Sequence, residues 1–363
     1  MNSTVNKASR QLFTRPDDEL FQDWDHLIGN LRERERRVSE IQVKKISAFS
    51  NGENVMLNMV NGNGDYTREL NDWSFNNLCR TVKAPPNYIN SLDPEIAAKC
   101  LDYGLQNNAF ASGTVANITD KEVRGFYSNK YQRVPDVDVA EFVRDLSFKY
   151  GYEPAGKFAG IRGGLAPVRP EATGLYASDR DVFMFLAYEK EPFEVNGEAF
   201  YHLTMVWNSE VGSRTLGFLT CLYRYICGNH IVWGARDIVE FSQKHIGTSS
   251  DVLRNYSKIM EGYDKYRQQM QQISIAQINI AQRKEFADKI ENAEKKLQAY
   301  MSLKDARGAL EFIHDERAYP KNPMSVYGIA QGVTLYSQTM PNANYRHALD
   351  LSAGNMMVKE VGF

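Results

Sequence analysis

A chain of 363 residues is long enough for one large or two ordinary domains. With 43% hydrophobic and 24% charged residues the composition is that of a globular protein, and a formal net charge of -2 excludes a global bias toward nucleic acid or membrane, so any basic surface has to be local. The N-terminus has no apolar core of signal-peptide length and no window approaches the roughly 18 apolar residues of a spanning helix, which reads as a cytoplasmic protein with no membrane partner.

The first 15 or so residues are polar. From Pro16 the pattern is helical, with acidic Asp17, Asp18 and Glu19 followed by Leu20, Trp24, Leu27 and Leu31 at three- and four-residue spacing. The helix runs into Arg32–Glu40 (RERERRVSE), whose alternating charges favour a solvated face over a phosphate-binding patch. Ile41–Phe49 and Asn54–Val60 form a predicted hairpin around Asn51-Gly52, and the NGNGD turn (Asn61 to Asp65) leads into Tyr66–Leu70. Residues 72–82 read as a helix stopped by Pro85 and Pro86, and Glu95–Gln106 as another. Ala109–Ile118 reads as a strand, and Val139–Lys149 as a helix capped by Asp138. Asp179–Glu189 and Glu194–Trp207 pair around Asn196-Gly197, and the apolar run from Leu216 to Cys227 is expected to be a central helix. Between Val252 and Lys304 ten Lys/Arg face six Asp/Glu. An apolar stripe continues through that stretch with a register change; unbroken helix would span about 80 Å, so two long helices or one projecting helix are expected, and such a stripe asks for a partner within the domain or in another subunit. A last segment from Ser325 carries Ala330, Val333, Leu335 and Tyr336 at helical spacing and is expected to pack back on the core.

Few arrangements carry chemistry. Cys79, Cys100, Cys221 and Cys227 show no CxxC spacing, which argues against a zinc site or a disulfide framework, and Cys221 and Cys227 read as buried thiols. The histidines make no HxxxH or HExxH pair, and there is no GxSxG or P-loop. Gly160-Ile161-Arg162-Gly163-Gly164 is followed by Ala166-Pro167, so a dinucleotide fingerprint fails there. Asp179 and Asp181 share one face of an extended strand, where solvated edge charges are favoured over a hard-cation site. Arg124, Tyr127, Lys130, Tyr131 and Arg133 set aromatic rings among cations, an interleaving suited to base stacking with phosphate neutralisation, although a core edge accounts for the tyrosines equally well. Arg162, Arg180, Arg214 and Arg224 are dispersed but can converge on an anion. Asn229, His230 and Trp233 form the other concentration of unusual residues.

Two of these stretches, RGFYSNKYQRVPDVDVAEFV (Arg124 to Val143) and RYICGNHIVWGA (Arg224 to Ala235), resemble a family of phage and plasmid proteins grouped as a domain of unknown function (DUF932-type). The tail SVYGIAQGVTLYSQTMPNANYRHALDLSAGN (Ser325 to Asn355) is similar to the same family's C-terminal signature. The resemblance implies a role in DNA metabolism or in countering host defence and transfers no catalytic residue.

The resulting expectation is an α+β protein, with a curved antiparallel sheet from residues 41–70 and 109–207 packed on the central helix and followed by a long helical region. Its expected divisions are an N-terminal helical segment (1–40), an α+β core (41–250), the helical region (251–320) and a returning C-terminal segment (321–363). The expected function is the coating or annealing of single-stranded DNA by a homo-oligomer, with no cofactor, metal or catalytic residue. Arg124, Lys130, Arg133, Arg162 and Arg214 would neutralise phosphates, Tyr127, Tyr131 or Trp233 would stack on bases, and Arg224, Asn229 and His230 complete the candidate nucleic-acid-binding set. The alternative is an anti-defence or host-takeover module that binds a protein partner through its long helices. A third reading is an enzyme acting around Asn229 and His230.

Overall fold

The computed structural model describes residues 19–21, 23–107, 113–154, 174–224, 241–243, 254, 257, 261, 275–340 and 343–362. In chain order the elements begin with β1 (Leu20–Phe21), α1 (Trp24–Arg37), β2 (Ser39–Gln42), β3 (Lys45–Ser50), β4 (Val55–Val60) and β5 (Asp65–Leu70). Next come α2 (Asp72–Thr81), α3 (Pro86–Asn90), α4 (Pro94–Asn107), β6 (Thr114–Ile118), β7 (Glu122–Ser128) and α5 (Asp136–Tyr150). The strands β8 (Tyr152–Pro154), β9 (Leu175–Ala177), β10 (Val182–Val195), β11 (Glu198–Asn208), β12 (Leu216–Arg224) and β13 (Phe241–Gln243) follow. The helices α6 (Ile290–Leu297), α7 (Leu303–Glu311), α8 (Val326–Gln338) and α9 (Ala343–Val361) complete the order.

The fold is α+β with open sheets, as expected, but the strands divide between two sheets where one was foreseen. The first has the order β2-β6-β7-β5-β4-β3, antiparallel except for the β5–β7 pair. Its β3–β4 hairpin turns at Asn51-Gly52, where Gly52 takes φ +98° and the Asn51 side chain accepts from the Asn54 amide. Leu57, Met59, Ala116 and Val123 on this sheet pack with Leu78, Leu101 and Leu105 of the helices α2 and α4. The open edge at β3 is partly blunted by α4, because the Asp102 carboxylate accepts from the Ala48 amide.

The second sheet has the order β1-β9-β10-β11-β12-β13, with β8 also paired to β10. Asn196-Gly197 turns the long β10–β11 hairpin as expected, both residues having positive φ. The expected central helix is a strand as far as Arg224, with Gly217 to Arg224 paired antiparallel to Phe200 to Trp207; residues 225–227 of that expectation lie outside the described residues. An apolar run of that length has no periodicity that separates a buried strand from a buried helix, and here pairing with β11 decides the matter. On one side this sheet buries Leu175, Val182, Met184, Leu186 and Val206 beneath α1 and α5, against Leu27, Leu31, Val139 and Val143.

The α5 helix starts at Asp136 after Pro135 and has no side-chain cap, so Asp138 lies in its first turn and does not cap it. Among the described residues the later helical region is interrupted after the helical stretch 275–283 and again after α6, so it does not form one rod there. Residues 326–361 share a core with the tip of the β10–β11 hairpin: Val326, Tyr327, Leu349 and Met356 pack with Phe193 and Phe200, and Tyr327 Oη donates to the Glu198 carboxylate. Among the described residues no helix is long and apolar enough to cross a membrane.

Candidate functional site

The turn-rich segment Asn208–Ser213 lies at the junction of the two sheets. Gly125 of β7 approaches it so closely that a Cβ there would stand 3.1 Å from both Val211 Cβ and the Val211 carbonyl oxygen, and Trp73 Nε1 donates to that oxygen at 3.0 Å. Glu210, 1% exposed, is the centre of the junction. Arg124 Nη1 reaches its carboxylate at 2.7 Å, Arg133 Nη2 at 2.8 Å and Arg34 Nη2 at 3.4 Å. Arg34 also binds Asp136 at 2.6 Å, Asn208 Nδ2 donates to Asp136 at 2.7 Å, and Arg133 completes the set with Glu35.

The cluster corrects the expected nucleic-acid groove at its main residues. Arg124 is 1% exposed, and besides Glu210 it donates to the Asp179 carbonyl. Arg133 is held by Glu210 and Glu35. Arg214 binds Asp181 at 3.0 Å and lies over the Phe183 ring, so Asp181 is a buried ion-pair partner and neither a solvated edge charge nor a cation ligand. A guanidinium satisfied by a buried carboxylate has neither the exposure nor the uncompensated charge to meet a phosphate. Tyr127 and Tyr131 meet ring to ring, tilted by 36° with centroids 4.6 Å apart, and Tyr127 Oη donates to Glu40 and Tyr131 Oη to the Ser209 carbonyl. Both rings are half-buried. Lys130 is exposed on the turn after β7. Arg224 ends β12 opposite Phe200. Arg162, Asn229, His230 and Trp233 lie outside the described residues.

Electrostatically the cluster divides its two buried acids. Burial pushes the Glu210 carboxyl up, but Arg124, Arg34 and Arg133 outweigh it and hold it down at about 2. Asp136 is pushed up to about 7, first by burial and then by the charge of Glu210, against the pull of Arg34 and Arg124. Every member meets another member or a backbone carbonyl, so the arrangement locks α1, β7, α5 and the Asn208–Ser213 turn together.

A second concentration of cations is open. A groove of about 560 Å³ lies between the α1–β2 corner, the start of β5 and the turns 61–64 and 119–121, with Arg36, Arg37, Tyr66 and Arg68 in its lining. Helical period explains the division of labour in α1: Arg34 points into the cluster, while Arg36 and Arg37 are 78% and 62% exposed on their side chains and share the single carboxylate of Glu33. Strand period places Tyr66, Arg68 and Leu70 on one face of β5. Arg68 is anchored by peptide carbonyls, Nε to Thr119 at 2.7 Å and Nη1 to Thr67 at 2.8 Å, with its guanidinium 5.9 Å from the Tyr66 ring centre. Ile41 and Ile118 add apolar wall, Asn61, Asn63, Ser39 and Thr119 add hydrogen-bonding groups, and Glu40 and Asp120 stand at the rim.

The sequence pattern of a domain of unknown function, DUF932, matches residues 123–344, more than half of the chain. The chain belongs to the DUF932 family. No curated protein and no solved structure matches it. The DUF932 segment contains Arg124, Arg133, Asp136, Glu210 and Arg214, whereas the open groove is built from residues 36–120, upstream of it. The cluster therefore lies mostly within the matched segment and the groove outside it. Sequence reasoning passed over the groove residues because the charge run of α1 reads as solvated. The available signal was the alternation in Asp65–Leu70, which puts a ring and a cation on one face directly after a Gly/Asn turn.

Proposed function

We propose that this protein binds single-stranded nucleic acid, and that it does so through the Arg36–Arg37–Arg68 groove in place of the residues around Tyr127 and Arg133. The observation that supports this is the charge balance of Arg68. Its guanidinium is fixed by two peptide carbonyls and faces no carboxylate partner among the described residues, so its positive charge is oriented but not cancelled. Arg36 and Arg37 add two cations against one shared carboxylate, and Tyr66 offers a ring beside them. A phage or plasmid setting, implied by the resemblance of the sequence, is consistent with such a role.

Fluorescence anisotropy of a labelled single-stranded oligonucleotide, titrated with the full chain across a range of salt, tests the reading. Each neutralised phosphate contributes a slope of about −0.7 in log K against log salt, so three arginines give a slope no steeper than about −2. Arg68→Gln is expected to weaken binding at least about tenfold, the loss of one charge-assisted hydrogen bond. Lys130→Ala is expected to leave affinity unchanged. Undetectable binding at low salt, or binding that Lys130→Ala removes and Arg68→Gln does not, overturns the proposal.

A further inference from the structure

The groove is small, and its charges are bounded. Strand-coating sites track the backbone over about 4–16 nucleotides along a continuous cationic channel. Here the cleft is about 560 Å³, within the range of pockets that enclose one small ligand. Three carboxylates also lie near the three guanidiniums: Glu33 pairs with Arg36 and Arg37, and Glu40 and Asp120 are in the lining. The small net charge that results favours one compact, more highly charged group over a long run of singly charged diesters.

We propose, building on the nucleic-acid reading above, that the groove receives the terminal phosphate monoester of a nucleotide, at a strand end or on a free nucleotide. A phosphate monoester carries about −1.5 to −2 at neutral pH and three strong acceptor oxygens, against a single charge on each internal diester. Arg68 suits that acceptor. Of the five N–H groups of a guanidinium, one Nε and one Nη1 are taken by the Thr119 and Thr67 carbonyls, leaving three on a side chain that is already oriented. Arg36 and Arg37 reach the same space from the end of α1. Tyr66 supplies an aromatic ring for the attached base, and Asn61, Asn63 and Thr119 supply amide and hydroxyl groups to its edges.

The experiment compares four ligands on the full chain by anisotropy and competition. These are a labelled single-stranded 12-mer bearing a 5′-phosphate, the same 12-mer with a 5′-hydroxyl, a 3′-phosphorylated twin, and a closed circular single strand as competitor. A 5′-mononucleotide is added as a further competitor. The expected result is that a phosphorylated end binds about tenfold tighter than the hydroxyl twin, roughly the value of one added charge-assisted hydrogen bond, and that the circle competes poorly. The preference is expected to disappear in Arg68→Gln and in the exposed pair Arg36→Gln/Arg37→Gln, which does not threaten folding. Competition by the mononucleotide at the affinity of the phosphorylated end identifies a free nucleotide as the ligand; failure of that competition identifies a strand end. Equal binding of the circle and both linear strands overturns this inference while leaving nucleic-acid binding intact. No binding by any ligand overturns both.

Discussion

Replacing Glu210 by Gln removes one charge from the centre of the molecule while keeping nearly the same shape. In the native cluster Arg34, Arg124 and Arg133 all reach Glu210, with Asp136 and Glu35 as further acceptors, and the Glu210 side chain is 2% exposed. The amide leaves one guanidinium uncompensated and presents an N–H group where an arginine N–H expects an acceptor. Breaking a buried pair from one side typically costs about 3–5 kcal/mol, a large part of the roughly 5–15 kcal/mol by which folded proteins are stable. In urea, with a slope near 3 kcal/mol/M, the unfolding midpoint is expected to fall by about 1 M or more. Arg124→Gln is expected to cost a similar amount. The double variant is expected to cost less than the sum by about 1–3 kcal/mol, because the second change relieves the charge that the first exposed. A Glu210→Gln midpoint indistinguishable from wild type, or strict additivity with Arg124→Gln, would refute the view that this cluster joins the sheets.

The pH dependence has two limbs of opposite sign. Glu210 is held at about 2, below its ordinary 4.5, so the stability it supplies is complete above about pH 4.5 and is lost as pH falls toward 2. Asp136 is pushed from 3.8 up to about 7, so its favourable neutral form is fully present below about pH 4 and its contribution is lost as pH rises to 7. Asp136→Asn is therefore expected to flatten the stability profile between pH 4 and 7, and a profile parallel to wild type in denaturant titrations over that window contradicts the assignment. Gly308→Ala would place a Cβ 2.2 Å from the Tyr336 ring, and a loss of about 1–3 kcal/mol in urea unfolding is expected from the forced separation of α7 and α8; no loss would show that the two helices part easily. Arg214→Ala leaves the buried Asp181 carboxylate with the Ser178 hydroxyl but without its guanidinium, and is expected to lower the thermal midpoint without changing oligonucleotide affinity, so a selective loss of binding would restore Arg214 as a phosphate ligand.

What could be read in the chain follows the range of the interaction. Asn51-Gly52 and Asn196-Gly197 set their hairpins through local backbone chemistry, and the expected strands and turns lie close to where they form. The run from Leu216 reads as helix because, although β11 is legible, nothing within the run itself announces that it pairs with that strand. The arginines failed for the same reason. Arg124 and Arg133 precede Glu210 by more than seventy residues, and Arg34 stands farther off, so residue type alone could not say whether they would face solvent or a buried acid. The charge run in α1 shows the limit in one element, since Arg34 and Arg36, about 160° apart around the helix, serve opposite environments.

Arg34 also separates two meanings of the word domain. The DUF932 match starts at residue 123, yet α1 brings Leu27, Leu31 and Arg34 to the surface formed by β9, β10 and α5, and β7 sits between β6 and β5, which both precede the match. A chain shortened to the matched boundary would therefore carry β7 as a bare strand with both edges unsatisfied, and would leave Asp136 with no guanidinium at 2.6 Å. The segment that is recognisable by descent cannot be expected to stand as a folding unit here, and expression of this protein in pieces is best divided elsewhere.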